Sequence, residues 1–421
     1  MKKYASIKSI FQNRFFRSTG SLISGTVFAQ ILTMLALPFL TRMYSAEDFE
    51  FLGVYVAVLS LIAVVSSLRF EIAIPIPEDD TEAANLLALS LILTTGFALL
   101  CIGILALLAD ALSSASDPYR IKTLRWLLPL GVLLSGYYAA LQYWSMRKKR
   151  FTEIAKTRIT QMASGLMVQF SMGWYGLSAI GLPLGHAVMG GMGAGGLALR
   201  TWYNEKNSLK KISIIGMINA FKKNRKYPLY STWEGLATVA SSQAPILIIA
   251  SFSISPEAGY FMLALRVLGA PLQIVGSAIS QVYLSHAPES KRNGKLRELT
   301  MKVALSTSIF VALPVVIIAV LGDLYFELIF GSGWGRSGEI LIWLAPLFAI
   351  RSVATPISMV MNVVGMQREM LLMKVVGMVL RVGSVVIAVL FFNESVVEVY
   401  AISSALVFTA YALVFIRASR S

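Results

Sequence analysis

Long apolar stretches recur throughout this chain of 421 residues, and no other feature limits its fold as strongly. An α-helix needs about 20 mostly apolar residues to cross the hydrocarbon core of a bilayer. Stretches of about that length occur twelve times, and with 56% hydrophobic and 14% charged residues they predict an all-α polytopic membrane protein with about twelve transmembrane helices. The predicted spans are 19–40, 50–70, 83–108, 124–146, 154–176, 178–199, 230–253, 257–285, 301–322, 338–363, 370–392 and 395–416.

The basic residues predict the orientation of these spans. If the N-terminus is cytoplasmic, 29 of the 37 lysines and arginines fall on the cytoplasmic side, five outside and three within spans. Cytoplasmic loops of membrane proteins carry an excess of Lys and Arg, so this split supports twelve spans with both termini in the cytoplasm. The basic runs are then topology signals, which argues against nucleic acid as a partner.

This topology makes a direct prediction for reporter fusions. A phosphatase that is active only outside the cytoplasm is expected to be inactive when fused near Asn224 and active when fused near Asp117. The reason is that the segment around Asn224 is rich in Lys and Arg, whereas the loop around Asp117 holds few. The opposite pattern of activity would contradict the orientation.

Two sequence echoes predict that the chain is a duplication. Residues 44–49 (YSAEDF) and 254–259 (ISPEAG) both have the pattern of a helix start, with a serine cap, a glutamate in the first turn and, in the second copy, Pro256 as first helical residue. Residues 126–130 (WLLPL) recur as 343–347 (WLAPL). We therefore predict two parallel six-helix lobes around a central cavity. The predicted divisions are a cytoplasmic segment 1–18, an N-terminal lobe 19–199, a basic linker 200–229, a C-terminal lobe 230–416 and a cytoplasmic tail 417–421.

Three arginines interrupt the apolar spans with no carboxylate at comparable depth in the same span: Arg266, Arg351 and Arg381. A cation at the bilayer centre costs about 2.5–3.5 kcal/mol on insertion scales, so it usually faces a polar interior and has a function there. Pairing with Glu234 or Glu71 would be a purely structural explanation. Unpaired cations facing a cavity predict an anionic substrate, and all three belong to the predicted C-terminal lobe.

Helical spacing groups these arginines with other polar residues. Arg351, Thr355, Ser358 and Asn362 share one helix face, and Arg266, Gln273 and Ser277 share another. The candidate substrate-binding residues are Arg266, Arg351, Arg381, Lys374, Gln273, Thr355, Asn362, Gln30 and Arg42. Candidates for ion coupling are Glu234, Glu71 and His186. Neutral polar residues also join membrane helices to one another, Arg69 can pair with Glu71 at the interface, and His186 can be a packed polar residue.

Several kinds of chemistry have no support in the sequence. The chain has a single cysteine, Cys101, which leaves no disulfide framework or cysteine-rich metal cluster, and no nucleotide-binding motif is present. We therefore expect neither cofactor nor metal. The outer loops are short, so they offer no obvious place for a catalytic site.

With these residues identified, the chain resembles the polysaccharide (O-antigen type) flippases of the multidrug/oligosaccharidyl-lipid/polysaccharide (MOP) exporter superfamily. The segments that carry the resemblance are 37–45 (LPFLTRMYS), 67–75 (SLRFEIAIP), 150–155 (RFTEIA), and Phe330-Gly331 with Trp334 and 344–346 (LAP). Glu50 departs from the family pattern, which usually has Gly there. The similarity covers most of the chain but does not indicate which sugar is carried.

The resemblance implies a transporter and not an enzyme. It implies movement of undecaprenyl-diphosphate-linked oligosaccharide across the bacterial inner membrane, from the cytoplasmic to the periplasmic leaflet. A polysaccharide polymerase and a chain-length regulator are the protein partners that it implies. Two alternatives remain open: a drug or cation antiporter of the same fold, for which intramembrane carboxylates are expected, and a membrane glycosyltransferase or polymerase, for which a large outer loop with acid–base residues is expected.

Overall fold

The structure is a computed structural model that describes residues 14–107, 118–252, 256–391 and 395–420. Asp117, Ile254 and Ser255, named above, lie outside these ranges. The described residues are helical with short connections and contain no strand. The helices are α1 Arg14–Met43, α2 Ala46–Ser66, α3 Phe70–Ala73, α4 Asp80–Leu107, α5 Pro118–Arg147, α6 Phe151–Trp174, α7 Ser178–Gly191, α8 Gly193–Asn204, α9 Lys206–Leu209, α10 Ile214–Lys223, α11 Thr232–Phe252, α12 Glu257–Arg292, α13 Leu296–Thr307, α14 Leu313–Phe330, α15 Gly335–Ile357, α16 Val360–Val364, α17 Gln367–Phe391 and α18 Val396–Ala418.

The predicted fold class is confirmed, because each of the twelve predicted spans overlaps at least one helix of the described residues. Eight segments within the described part of the chain are long and apolar enough to cross a membrane: Ala46–Ser66, Asp80–Leu107, Lys122–Arg147, Tyr227–Phe252, Leu296–Ile317, Gly335–Val364, Arg368–Phe391 and Val396–Ala418. The protein is therefore a multi-pass membrane protein.

Three details differ from the expectation. The sixth predicted span is divided into α7 and α8 at Met192, and the ninth is divided into α13 and α14 by a π-helical turn, Ser308–Ala312. Pro256 precedes the first helical residue of α12 and is not itself that residue. The predicted cap of α2 is present: the Ser45 hydroxyl accepts from the Asp48 backbone N–H (3.3 Å), and Asp48 accepts from the Ser45 N–H (3.0 Å).

Packing divides the chain into two compact units, and neither is continuous in sequence. The first contains residues 1–43 and 55–240, and the second contains 44–54 and 241–421. Helices α2 and α11 are therefore each shared between the units. The six-plus-six lobe boundaries given above remain a prediction.

In the first unit, α5 and α6 are the helices on which the others pack. Helix α6 packs against α1 and α7, and α5 packs against α4 and α7. A buried cluster joins several helices around the fully buried Trp144, together with Phe70, Leu86 and Leu197.

In the second unit, α15 is the central helix and packs against α12, α14 and α18. In the most apolar 18 residues of the span Gly335–Val364, 61% of the residues are buried inside the protein. The corresponding share in Arg368–Phe391 is 17%, so α15 is much more enclosed by protein than α17.

Candidate functional site in the second unit

A cavity of about 450 Å³ lies between α12 and α15. From α12 it is lined by Gly269, Leu272, Gln273, Gly276 and Ser280, and from α15 and the turn after it by Phe348, Arg351, Ser352, Thr355 and Met359. On α12, the residues Gly269, Gln273, Gly276 and Ser280 are spaced 4, 3 and 4 apart, which places them on one helix face. Arg351 and Thr355 share a face of α15 for the same reason.

Two glycines of α12 face residues of α15 across this cavity. A Cβ atom at Gly276 would lie 3.7 Å from Cγ2 of Thr355, and one at Gly269 would lie 3.6 Å from the Phe348 ring. Larger side chains at either position would extend toward the residues opposite and reduce the space between α12 and α15.

Arg351 is the charged residue of the lining, and its described neighbours leave its charge uncompensated. The side chain is exposed, and its guanidinium carbon lies 5.8 Å from the ring centres of both Phe348 and Phe408. The face of an aromatic ring attracts a cation but does not neutralise it. The two rings therefore hold the guanidinium in position and leave its N–H donors available for a ligand.

Arg381 lies on the same aromatic ring. Its guanidinium carbon is 5.5 Å from the centre of Phe408, so the ring contacts both arginines. Arg381 donates to the Gly377 carbonyl (3.2 Å) and to the Ser241 hydroxyl, both of which are neutral acceptors. The structure thus brings two of the three predicted arginines to one place, although α15 and α17 are distinct helices.

No carboxylate compensates for these charges within the described residues. The ion pairs there include none with Arg266, Arg351 or Arg381. In the second unit they gather on Arg336, which lies 2.7 Å from Glu257, 2.8 Å from Glu339 and 2.6 Å from Glu398. Arg336 precedes Arg351 by fifteen residues on α15, a separation of about 22 Å along a helix.

Arg266 occupies a different environment from the other two arginines. It precedes Gly269 by three residues and therefore continues the lining face of α12, but it does not line the cavity. Ser277, predicted on the same face, has a side chain outside the described part of the structure. Gly276 and Ser280 contribute to the lining instead.

The remaining substrate-binding candidates lie outside the cavity lining. Lys374 is exposed on α17, and the side-chain amide of the exposed Asn362 donates to the Met359 sulfur at 3.7 Å. Gln30 and Arg42 belong to the first unit, where Arg42 donates to the Pro38 carbonyl at 2.6 Å. Among the neutral candidates only Gln273 and Thr355 line the cavity, and the Thr355 hydroxyl donates to the Arg351 carbonyl (2.8 Å).

The candidates for ion coupling all lie in the first unit. Glu71 is buried, accepts a hydrogen bond from Ser67 and lies 3.7 Å from Arg69. Burial raises the pKa of the Glu71 carboxyl, while the Ser67 hydrogen bond and Arg69 act in the opposite direction. Glu234 is exposed on α11, and the His186 ring packs edge-on against Tyr55 with centroids 6.1 Å apart.

Comparison with known proteins identifies the family. The model of a family described as "Polysaccharide biosynthesis protein" matches residues 39–339, well over half of the chain. The chain belongs to this polysaccharide biosynthesis family. A search of curated protein sequences finds no significant match.

Solved structures share the fold of this family member at low sequence identity. "Lipid II flippase MurJ, inward closed conformation" matches with a TM-score of 0.73 and 13% identity, covering 94% of this chain and 87% of MurJ. A multidrug resistance MATE family transporter of the MOP superfamily, in an inward-facing conformation, matches with a TM-score of 0.68 and 14% identity. The match covers 93% of this chain and 94% of that transporter. A MOP superfamily transporter from Pyrococcus furiosus, described as having a binding pocket of reverse polarity, matches with a TM-score of 0.59 and 15% identity. The match covers 96% of this chain and 93% of that transporter. The family member thus has the fold of MOP superfamily transporters, as the resemblance implied.

Phe408 is the part of this site that sequence reasoning missed. It lies on α18, in an apolar stretch with other aromatic residues, and nothing in its local sequence separates it from a lipid-facing phenylalanine. The sequence did indicate that Gly269, Gly276 and Ser280 share a helix face with Gln273. These four residues are spaced 4, 3 and 4 apart, the same spacing that grouped Arg351 with Thr355, Ser358 and Asn362.

Proposed function

We propose that this protein is a transporter that moves undecaprenyl-diphosphate-linked oligosaccharide, a repeat unit of O-antigen, capsule or exopolysaccharide, across the bacterial inner membrane. The movement is from the cytoplasmic to the periplasmic leaflet by alternating access. Both termini lie in the cytoplasm in this proposal. A polysaccharide polymerase and a chain-length regulator would act on the oligosaccharide after it has reached the periplasmic leaflet.

One observation carries the proposal: the cavity of the second unit presents Arg351 without a carboxylate partner among the residues that the structure describes. Arginine binds phosphate oxygens through two parallel hydrogen bonds, and a diphosphate offers such oxygens at high charge density. Arg381, which shares Phe408 with Arg351, adds a second positive charge nearby. A cavity of this polarity favours an anionic headgroup over a cationic drug.

The membrane potential gives this direction of transport a driving force. Moving one negative charge out of an inside-negative cell gains about 2.3 kcal/mol per 100 mV. A diphosphate headgroup that is not accompanied by cations would therefore be driven outward by the potential. Glu71, Glu234 and His186 remain candidates for an additional coupled ion.

Reconstitution tests the proposal directly. Proteoliposomes that contain the purified protein and a fluorescent undecaprenyl-diphosphate oligosaccharide in one leaflet are expected to expose the sugar to a glycosidase added on the other side. The exposure should be faster than in protein-free vesicles. Inorganic pyrophosphate should slow it more than ethidium, because the cavity is cationic. Efflux of ethidium without movement of the oligosaccharide would instead establish the drug or cation exporter.

A further inference from the structure

Helix α10, in the basic segment between the sixth and seventh predicted spans, carries a second apolar groove that the transport site does not use. The helix covers Ile214–Lys223, and its first turn is capped by Ser213, whose hydroxyl accepts from the Gly216 N–H at 3.0 Å. Its residues separate into a small-residue face that contacts α4 and an apolar face that remains exposed.

The small-residue face holds α10 at the start of α4. Asn85 accepts from the Ser213 N–H (3.1 Å), Lys223 pairs with Glu82 (2.6 Å), and Ala220 is 2% exposed. A Cβ atom at Gly216 would lie 2.6 Å from the Asn85 side-chain oxygen, so a larger residue there would displace the Asn85 amide. The position of α10 is therefore determined by specific contacts with α4.

The opposite face is apolar and exposed. Ile214, Met217, Ile218 and Phe221 follow the i, i+3, i+4, i+7 pattern of one helix face, and Ile214 and Ile218 are 73% and 48% exposed. With Leu89 and Ile92 of α4 and with Lys222, they line a groove of about 360 Å³. Exposed apolar area at this density indicates contact with something other than water.

The depth of the groove matches that of a helix at a membrane surface. Asn85 marks the polar level at which α10 is attached, and Leu89 and Ile92 follow it by four and seven residues. At 1.5 Å per residue the groove extends about 6–10 Å deeper along α4. Interfacial amphipathic helices bury their apolar face to about 5–10 Å, with basic residues at the headgroup level.

The charges at this end of α10 select the headgroup. Lys222, Arg225 and Lys226 are exposed, while the nearby carboxylate Glu82 pairs with Lys223. We propose that this groove binds an anionic phospholipid of the surrounding bilayer, with an acyl chain along Ile218 and Phe221 and the phosphate at Lys222. Apart from Lys222 the groove lining is apolar and offers no group for sugars, so the occupant is a bilayer lipid and not the transported substrate.

Photo-crosslinking in lipid nanodiscs tests this assignment on the full-length protein. Nanodiscs of phosphatidylcholine would carry a trace of phosphatidylglycerol with a diazirine in its acyl chain. Crosslinks are expected on residues 89–92 and 214–221, and the same label on phosphatidylcholine should give at least fivefold fewer. Lys222→Gln should lower the phosphatidylglycerol yield about fivefold, since one basic residue near a surface contributes that much. Lys210→Gln removes an equal charge outside α10 and should leave the yield unchanged.

Two further measurements keep the proposal open to refutation. Ile218→Asp, which places a charge in the groove without disturbing the α4 contacts, should remove the crosslinks at 214–221. Equal yields for the two phospholipids, or equal yields for Lys222→Gln and Lys210→Gln, would overturn the anionic-lipid assignment. Stronger competition by undecaprenyl-diphosphate oligosaccharide than by phosphatidylglycerol would also overturn it, because the occupant would then be the substrate.

Discussion

Replacing Arg351 by alanine is expected to reduce transport of the diphosphate-linked oligosaccharide at least tenfold while the protein remains in the membrane at its normal amount. The cavity would lose the charged residue of its lining. A hydrogen bond to a charged group contributes about 1.5–3 kcal/mol, and 1.4 kcal/mol corresponds to a factor of ten. The rate of sugar exposure in proteoliposomes measures this loss, and an immunoblot of membranes measures the amount of protein.

Two matched variants show whether the loss comes from the guanidinium itself. Arg351→Lys keeps the positive charge but lacks the planar fork of donors, so we expect transport between that of the alanine variant and that of the wild type. Arg368→Ala removes one positive charge from an exposed position on α17 and should transport normally. Arg381→Ala should resemble Arg351→Ala, because Phe408 contacts both guanidinium groups.

Transport measurements on alanine variants of all three arginines test whether the cavity is the headgroup site. Arg266 lies outside the cavity lining, so Arg266→Ala should reduce transport less than Arg351→Ala does. Normal transport by all three alanine variants would show that the cavity is not the headgroup site. An effect of Arg266→Ala alone would move the site along α12, away from Phe408.

The twelve membrane spans of this protein could be predicted because each one follows from local sequence. An apolar stretch of about 20 residues has few stable alternatives to a helix in a bilayer, since every backbone polar group must find a partner within the protein. The interruption before Leu313 also has a local cause. Pro314 lacks an N–H and its ring crowds the carbonyl of residue 310, and the π-helical turn Ser308–Ala312 contains that residue.

The candidate site was predictable only along single helices. Spacing placed Thr355 with Arg351 and Gln273 with Arg266, and the cavity does contain Arg351, Thr355 and Gln273. The spacing could not show that Phe408 of α18 contacts two arginines of other helices, because that contact depends on tertiary packing. For the same reason the sequence did not show that Arg266 falls outside the lining.

Packing at the start of α2 also lay beyond local sequence. The two predicted copies of a helix start, at Ala46 and at Glu257, pack against each other within the second unit. A Cβ atom at Gly259 would lie 1.9 Å from the Ala46 carbonyl oxygen and 3.1 Å from the Glu50 backbone nitrogen. The sequence echo indicated that these segments are equivalent, but it carried no information that they touch.

Gly259→Ala is therefore expected to destabilise the protein strongly. The atoms that the new methyl group would meet belong to the backbone, so no side chain can rotate away, and α2 and α12 must separate. Overpacking of this kind costs about 1–3 kcal/mol. Separation would also disturb the fully buried Phe49, whose ring packs edge-on against Trp334 at 5.0 Å, an arrangement worth about 0.5–1.5 kcal/mol.

Thermal unfolding of the purified protein measures this effect, with Gly383→Ala as the matched control. Gly383 lies within α17, and a Cβ atom there would meet nothing within 4 Å. Alanine is the better helix former by about 1 kcal/mol, so the control should unfold at the wild-type temperature or above it, while Gly259→Ala unfolds several degrees lower. If both variants unfold like the wild type, then Ala46 and Gly259 are not in backbone contact in the folded protein. In that case residues 44–54 would not belong to the second unit, and the helix starts would be equivalent in sequence without packing together.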